Sequence, residues 1–247
     1  VAVAVDGNKG AVVEVNSETD FVAKNDMFQE YVADAALVAL MHNGEVCDMK
    51  TFQCPKVHKS FEERLTDLIA KIGENMNLRR AAMLEVSNGV IASYVHNACK
   101  PNLGKIGVLV ALESNGDKAK LQELGKHIAM HVAASNPQFL TIADVDQASI
   151  DHEKAIFSEQ AKASGKPENI IEKMVEGRIK KYFDEVVLEE QAYIMDPDKK
   201  VKQIVADAAK EMGADIKLKA FVCFRLGEGL EKRNEDFAAE VASQLKK

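Results

Sequence analysis

One order of elements occurs twice in this chain. Gly10-Ala-Val-Val-Glu-Val-Asn16 alternates and is β-branched, which predicts a strand. Asn25 can then cap a helix running to about Met41, with Phe28, Val32, Ala35, Ala36 and Ala39 on one stripe and Gly44 beyond its end. The plan restarts at Ile106-Gly-Val-Leu-Val-Ala-Leu112, a second strand, followed by the turn Ser114-Asn-Gly-Asp117. A second helix, Lys118 to Ser135, carries Leu121, Leu124, Ile128 and Val132 inward. Aligning Val108 with Val12 sets the offset at 96 residues. The repeat rests on order and pattern more than on identity. A chain of 247 residues has room for two such units.

Further elements close each unit. From Ser60 a helix carries Phe61, Leu65, Leu68, Ile69 and Ile72 on one face, and Gly73 breaks its pattern. Leu84 to His96 reads as two strands around Asn88-Gly89, a strong hairpin signal. Ile216 to Leu226 reads as the strand that closes the second unit. Between them, Ile150–Ser164 and Glu168–Glu185 are helical in pattern and joined by Gly165-Lys166-Pro167, with Pro167 suited to the first helical position. Two helices on so short a link form an antiparallel hairpin, and their charge suggests a projecting arm. Asn234 caps a last short helix with Phe237, Val241 and Leu245 spaced by four.

The expected fold class is therefore α+β: two related subdomains with antiparallel sheets and packed helices, an inserted antiparallel helical hairpin and a C-terminal helix. The expected boundaries are 1–104 for the first subdomain, 105–149 with 199–231 for the second, 150–198 for the hairpin and 232–247 for a C-terminal module. The sequence opens at Val1, without an initiator Met and inside an apolar alternation (Val1, Val3, Val5), so it reads as a fragment or a processed form.

Charge and composition exclude several function classes. The net charge is −7 and the pI about 5.5. Neutralising phosphates needs a strongly basic face, so direct nucleic-acid binding is not expected. No apolar run approaches the ~20 residues of a membrane span. Cys47, Cys54, Cys99 and Cys223 form no C-x-x-C pair, and reduced thiols in a chain this long point to a cytoplasmic setting.

Catalytic apparatus is sparse. There is no G-x-x-x-x-G-K-[ST], no G-x-G-x-x-G opening a helix and no G-x-S-x-G. His127 and His131 stand at i and i+4, but Ile128 occupies the position where a zinc protease carries its Glu, and no third ligand is in view. His131 also falls on the packed stripe. His42, Cys47, Cys54 and His58 are separated by four, six and three residues, which matches no familiar zinc site. No cofactor, metal site or enzyme activity is expected.

One polar connection is unusual. Ser17-Glu-Thr-Asp-Phe-Val-Ala-Lys-Asn-Asp26 links the first strand to the first helix and carries Phe21 near its middle. Ser17 with Asp20 resembles an S-x-x-D capping box, with Phe21 or Val22 packing locally as a staple. Alternatively Phe21 is presented outward for a partner's pocket, where burying a Phe is worth roughly 1.5–3 kcal/mol. Both can hold together, capping fixing the loop while Phe21 projects from it.

Thr19-Asp-Phe-Val-Ala-Lys-Asn25 resembles the signature of bacterial elongation factor Ts. So do Lys71-Ile-Gly-Glu-Asn-Met-Asn-Leu-Arg-Arg80, Lys126-His-Ile-Ala-Met-His-Val-Ala-Ala-Ser135, Met174-Val-Glu-Gly-Arg-Ile-Lys-Lys181 and Asp236-Phe-Ala-Ala-Glu-Val241. These five blocks stand in the family's order across nearly the whole chain. The resemblance implies a guanine nucleotide exchange factor whose partner is elongation factor Tu, with two related α+β cores, an inserted helical hairpin and a short C-terminal module. It also implies a small N-terminal helical domain, after which the present sequence would begin.

Carried over by motif, Asp20 and Phe21, flanked by Thr19 and Val22, are the intruding residues. The Phe wedges into the partner's GTP-binding domain and disturbs Mg²⁺ and phosphate binding. Ile72, Gly73 and His96 match other contact positions; His96 is followed by extra residues, Lys100 to Leu103. Phe237 and Val241 match the module that lies against the GTP-binding domain. Assembly stays open between a homodimer and a heterotetramer with the partner. Two rivals from other classes are an oligomerising scaffold acting through the hairpin and a metal enzyme built on His127 and His131.

Overall fold

The computed structural model describes residues 1–54, 58–162 and 167–230. Strands β1 (Ala2–Asp6), β2 (Lys9–Ser17) and β5 (Met76–Glu85) form one antiparallel sheet in the order β1-β2-β5. Strands β6 (Gly89–His96), β7 (Ile106–Ser114) and β10 (Ile216–Arg225) form a second, in the order β10-β7-β6. Two-stranded pairs β3–β4 (Gln53–Cys54, Lys59–Ser60) and β8–β9 (Ala192–Tyr193, Asp196–Lys200) complete the strands. The chain is thus α+β with small antiparallel sheets.

Helices cover the outer face of each sheet. On the first lie the one-turn α1 (Asp20–Ala23), then α2 (Asp26–Met41), α3 (Val46–Thr51) and α4 (Phe61–Ile72). Ala11, Val13, Val15, Phe28, Val32, Phe61 and Leu78 form its core. On the second lie α5 (Lys118–Ser135) and α8 (Val201–Met212), with Val108, Val110, Leu112, Leu121, Ile128, Val201 and Leu218 in its core. Between the sheets a third cluster joins Val3, Val12 and Val86 to Ile91, Leu109 and Phe224. The layers therefore run helix, sheet, sheet, helix.

The inner faces come very close. A Cβ added at Gly10 would stand 2.5 Å from Ile91 Cγ2, and one at Gly107 3.0 Å from Val12 Cγ2. These equivalent glycines correct the repeat offset. Gly10, Val12 and Val13 match Gly107, Leu109 and Val110 by face, an offset of 97 and not 96. With a side-chain period of two, a slip of one residue would put Val12, which faces the other sheet, on Val108, which faces the helices.

The hairpin expected around Asn88-Gly89 does not form. β5 pairs with β2 and β6 pairs with β7, so this turn crosses from one sheet to the other. Gly89 takes φ +138°, and a Cβ there would collide with the Leu112 carbonyl oxygen. The local signal was right about the turn and wrong about the partners, which tertiary packing decides.

The inserted pair consists of α6 (Gln147–Lys162) and α7 (Glu168–Val186). Pro167 is the N-cap of α7, with extended ψ of 149°, one position before that expected. Gly165 and Lys166 lie outside the described residues. Only Ala161, Ile179 and Val186 are buried along the two helices, and Val145, Val186 and Val187 with Phe139 and Phe183 pack at their base. The expected C-terminal helix, with Phe237 and Val241, also lies outside the described residues. Among the described residues no helix is long and apolar enough to cross a membrane.

Candidate functional site: a braced turn presenting Phe21

The sequence Asp20-Phe-Val-Ala23 forms a single helical turn, too short to persist on its own. Its neighbours hold it. Thr19, with extended φ and ψ, is the N-cap, and its Oγ1 accepts from the Val22 N–H at 3.4 Å. The cap is therefore Thr19 and not Ser17, whose hydroxyl instead donates to the Thr19 carbonyl at 3.1 Å. Thr19 is gripped in turn by Glu74: the backbone N–H donates to Oε2 at 3.1 Å, and the hydroxyl lies 2.9 Å from both carboxylate oxygens.

The far end of the turn is fixed as firmly. Asn25 N–H donates to the Val22 carbonyl at 2.9 Å, and the Asn25 side chain caps α2 by accepting from Met27 and Phe28. The buried Gln29 side chain donates to the Ala23 carbonyl at 2.9 Å. Val22 is 4% exposed within the first core, whereas Phe21 is 78% exposed. The staple role thus falls to Val22 and the outward position to Phe21. The ammonium of Lys24 lies 5.9 Å from the Phe21 ring centroid and 3.3 Å from the Asp20 carboxylate, a solvent-exposed pair on the same turn.

Residues far apart in sequence meet here. Ile72 is the last residue of α4, half-buried against the first core. Gly73, exposed, ends that helix in the left-handed conformation at φ +83°. The next residue is Glu74, so the grip on Thr19 brings Ile72-Gly73 beside the Phe21 turn. His96 is exposed at the end of β6, its Nδ1 3.1 Å from the Tyr94 hydroxyl. The loop after it returns to the start of α2, where Lys100 pairs with Asp26. No hydrogen bond joins His96 to the turn itself among the described residues. An open cleft of about 400 Å³ flanks the site between α2 and α4, lined by Met27, Tyr31, Lys59, Arg64, Asp67 and Lys71. Its charges are largely paired, Lys59 with Asp67 and Arg64 with Asp34.

Sequence reasoning passed over Glu74 and Gln29. Neither carries a local motif, because each acts across a gap in sequence. Between Gly44 and Ser60 the sequence offers no clear periodicity; among the described residues Val46–Thr51 form α3 and Gln53–Cys54 pair with Lys59–Ser60, with Met49 and Cys54 in the first core. The helix α8 was readable but unread: Val201, Ile204, Val205 and Ala208 share a face and Gly213 ends it at φ +63°.

His131 is a core residue. It is fully buried, its Nε2 lies 2.8 Å from Gln191 Oε1, and its Nδ1 accepts from the Ile194 N–H at 3.2 Å. Both ring nitrogens are engaged, the Nε2–H tautomer satisfies both bonds, and burial holds the imidazole below its ordinary value. No group of three or more His, Cys, Asp or Glu side chains with metal-binding geometry occurs among the described residues.

The family model described as elongation factor TS matches residues 18–228. This chain belongs to the elongation factor Ts family. An elongation factor Ts from Paramagnetospirillum magneticum is 56% identical over 244 residues, 99% of this chain and 78% of that protein. One from Rhodospirillum rubrum is 55% identical over 248 residues, 100% of this chain and 80% of that protein. One from Rhodospirillum centenum is 53% identical over 243 residues. As a member of the elongation factor Ts family, the chain has its role in translation elongation, within protein biosynthesis.

Proposed function

We propose that this chain is a guanine nucleotide exchange factor that binds elongation factor Tu and promotes GDP release. The observation that carries the reading is Phe21, exposed at the crest of a turn that is braced at both ends. The turn that carries it loses little backbone freedom on binding, because it is already ordered. Burial of the Phe21 side chain in a partner supplies roughly 1.5–3 kcal/mol, about one to two powers of ten in affinity.

The exchange itself needs no catalytic residue on this chain. The factor and GDP·Mg²⁺ favour different arrangements of the partner's nucleotide site, so each lowers the equilibrium affinity of the other by the same factor. Phe21 is the wedge into the GTP-binding domain, where it disturbs the groups that hold Mg²⁺ and phosphate. Asp20, Thr19, Val22, Ile72 and Gly73 form or support the same contact face, with His96 at its margin. Phe237 and Val241 add a second contact on that domain.

Stopped-flow release of a fluorescent GDP from elongation factor Tu tests the reading. Release should accelerate with the concentration of this chain. Folded protein that leaves the rate unchanged at all concentrations would overturn it.

A further inference from the structure

The strand pair that carries the Phe21 turn changes register just before it reaches the turn. From Lys9 to Glu14, β2 pairs with β5 from Glu85 back to Arg80; from Val15 to Ser17 it pairs with Leu78 back to Met76. Arg79 is the extra residue of a β-bulge. The packing records the same step. Met76 and Leu78, then Ala81 and Met83, pack into the first core, an interval of three at a point where strand residues on one face recur every two. Arg79 and Arg80 therefore turn to the same side, away from that core.

One buried carboxylate closes on this bulge. Glu14 lies in β2 and is fully buried. Its Oε2 accepts from Arg80 Nε at 2.5 Å, and Arg79 Nη1 lies 3.0 and 3.1 Å from its two oxygens. Its Oε1 also accepts from Asn16 Nδ2 at 3.0 Å and from the Gly227 N–H at 2.8 Å. The arginines are tied onward to the end of the second sheet. Arg79 Nη2 donates to the Glu228 carbonyl at 2.6 Å and Arg80 Nη2 to the Arg225 carbonyl at 3.1 Å. The Arg80 guanidinium stacks 4.3 Å from the Phe224 ring centroid. A bulge leaves one residue outside the ladder; here the side chain of that residue is held from two directions.

We infer that the bulge at Arg79, clasped by Glu14, is a positioning element for the Phe21 turn: it sets the register and bend with which Glu74 meets Thr19. The ladder ends at Ser17 and Met76. Carried two residues further, the register after the bulge puts Glu74 opposite Thr19, where the carboxylate takes the Thr19 N–H and hydroxyl. Carried on from the register before the bulge, it would put Asn75 there, whose amide oxygen is uncharged and a weaker acceptor. Bulges bend a strand and raise its twist, which re-aims what lies beyond them. Glu14, Arg79 and Arg80 thus act on Phe21 through Glu74 and touch no partner themselves. The inference rests on the proposed function for its consequence, though not for its geometry.

The test uses the full chain and two readouts. The Thr19 N–H donates to Glu74 in the free protein, so its hydrogen exchange reads the contact with no partner present. It is measured where low urea leaves it unchanged, so that it reports local opening and not global unfolding. Glu14→Gln should speed Thr19 exchange by on the order of 10-fold, the low end for a lost hydrogen bond to a charged group. The second readout is stimulated GDP release at saturating factor, in a double-mutant cycle of Glu14→Gln with Glu74→Ala. Each single variant should slow release several-fold, and the double variant should be no worse than the poorer single. Unchanged Thr19 exchange, or effects on release that multiply, would overturn the inference. Should Glu14→Gln not fold, Arg79→Ala leaves Glu14 bonded to Arg80, Asn16 and Gly227 and should show the same pattern more weakly; wild-type Thr19 exchange in that variant would overturn it equally. If the wild-type chain fails to stimulate release, the functional reading is what has failed, and Thr19 exchange still decides whether the clasped bulge positions the turn.

Discussion

The carboxylate of Glu74 takes hydrogen bonds from both the backbone N–H and the hydroxyl of Thr19, across 55 residues of sequence. A helix of four residues thereby receives a fixed cap from outside itself. Glu74→Ala should slow stimulated GDP release several-fold while changing global stability by only about 0.5 kcal/mol, the usual size for a surface position. Kinetics at saturating factor and a urea titration would separate the two effects. Equal losses in stability and activity would assign Glu74 a merely structural role.

Phe21 and Val22 are neighbours with opposite duties, so their substitutions should separate cleanly. Phe21→Ala removes an exposed ring and should leave the unfolding free energy within about 0.5 kcal/mol of wild type. Its stimulated GDP release should fall by about 10-fold or more, in line with a lost Phe contact. Val22→Ala empties a core position and should cost about 1–3 kcal/mol of stability. A Phe21→Ala chain that stimulates release at the wild-type rate would remove the wedge assignment.

Stability should depend on pH through His131. Burial lowers its folded-state pKa below the ordinary 6.5, so below that value the unfolded chain binds the extra proton first. Its contribution is therefore complete above about pH 6.5 and is lost as pH falls from there toward the folded-state value. Urea unfolding at pH 7.5, 6.5 and 5.5 should show declining stability, and His131→Asn should flatten the slope in that interval. Glu14 is also held below its ordinary value: its burial opposes ionisation, and the bonds from Asn16, Gly227, Arg80 and Arg79 prevail. Its contribution is lost only at lower pH, below 4.5.

Close approach of the two sheets makes Gly10 sensitive to a single methyl. Gly10→Ala would force a Cβ to 2.5 Å from Ile91 Cγ2, and overpacking of this kind costs about 1–3 kcal/mol. Combined with Ile91→Ala, the loss should be smaller than the sum of the two by more than about 0.5 kcal/mol. Thermal or urea unfolding of the four proteins completes the cycle. Strict additivity would mean that the sheets adjust without strain.

What could be read ahead of the structure was local. Asn25, Ser60 and Asp117 each cap the helix that follows them, and Gly73 ends α4 in the left-handed region, because such signals act within one turn. The family was legible for the same reason, its sequence blocks being contiguous. Sheet membership was not legible. Asn88-Gly89 makes a turn in either topology, and only the packing of β6 against α5 and β7 decides that it joins two sheets. The parity of the repeat was hidden likewise, since Val12 and Val13 are equally apolar and differ only in which layer they face. Thr19 and Ser17 are both competent caps; Glu74 selects Thr19 from across the fold.

The bond between Gly227 and Glu14 spans 213 residues, and it sets an order for the chain as it is synthesised. The first sheet can close once Met76–Glu85 has emerged, with the two arginines already neutralising Glu14. The second sheet cannot, because β10 ends at Arg225. Until then the apolar inner face of the first sheet has no complete partner, a state of the kind that aggregates when it persists. Completion of the fold thus coincides with arrival of the segment that the buried carboxylate captures, and a nascent chain stalled before Ile216 should remain open to protease between its two halves.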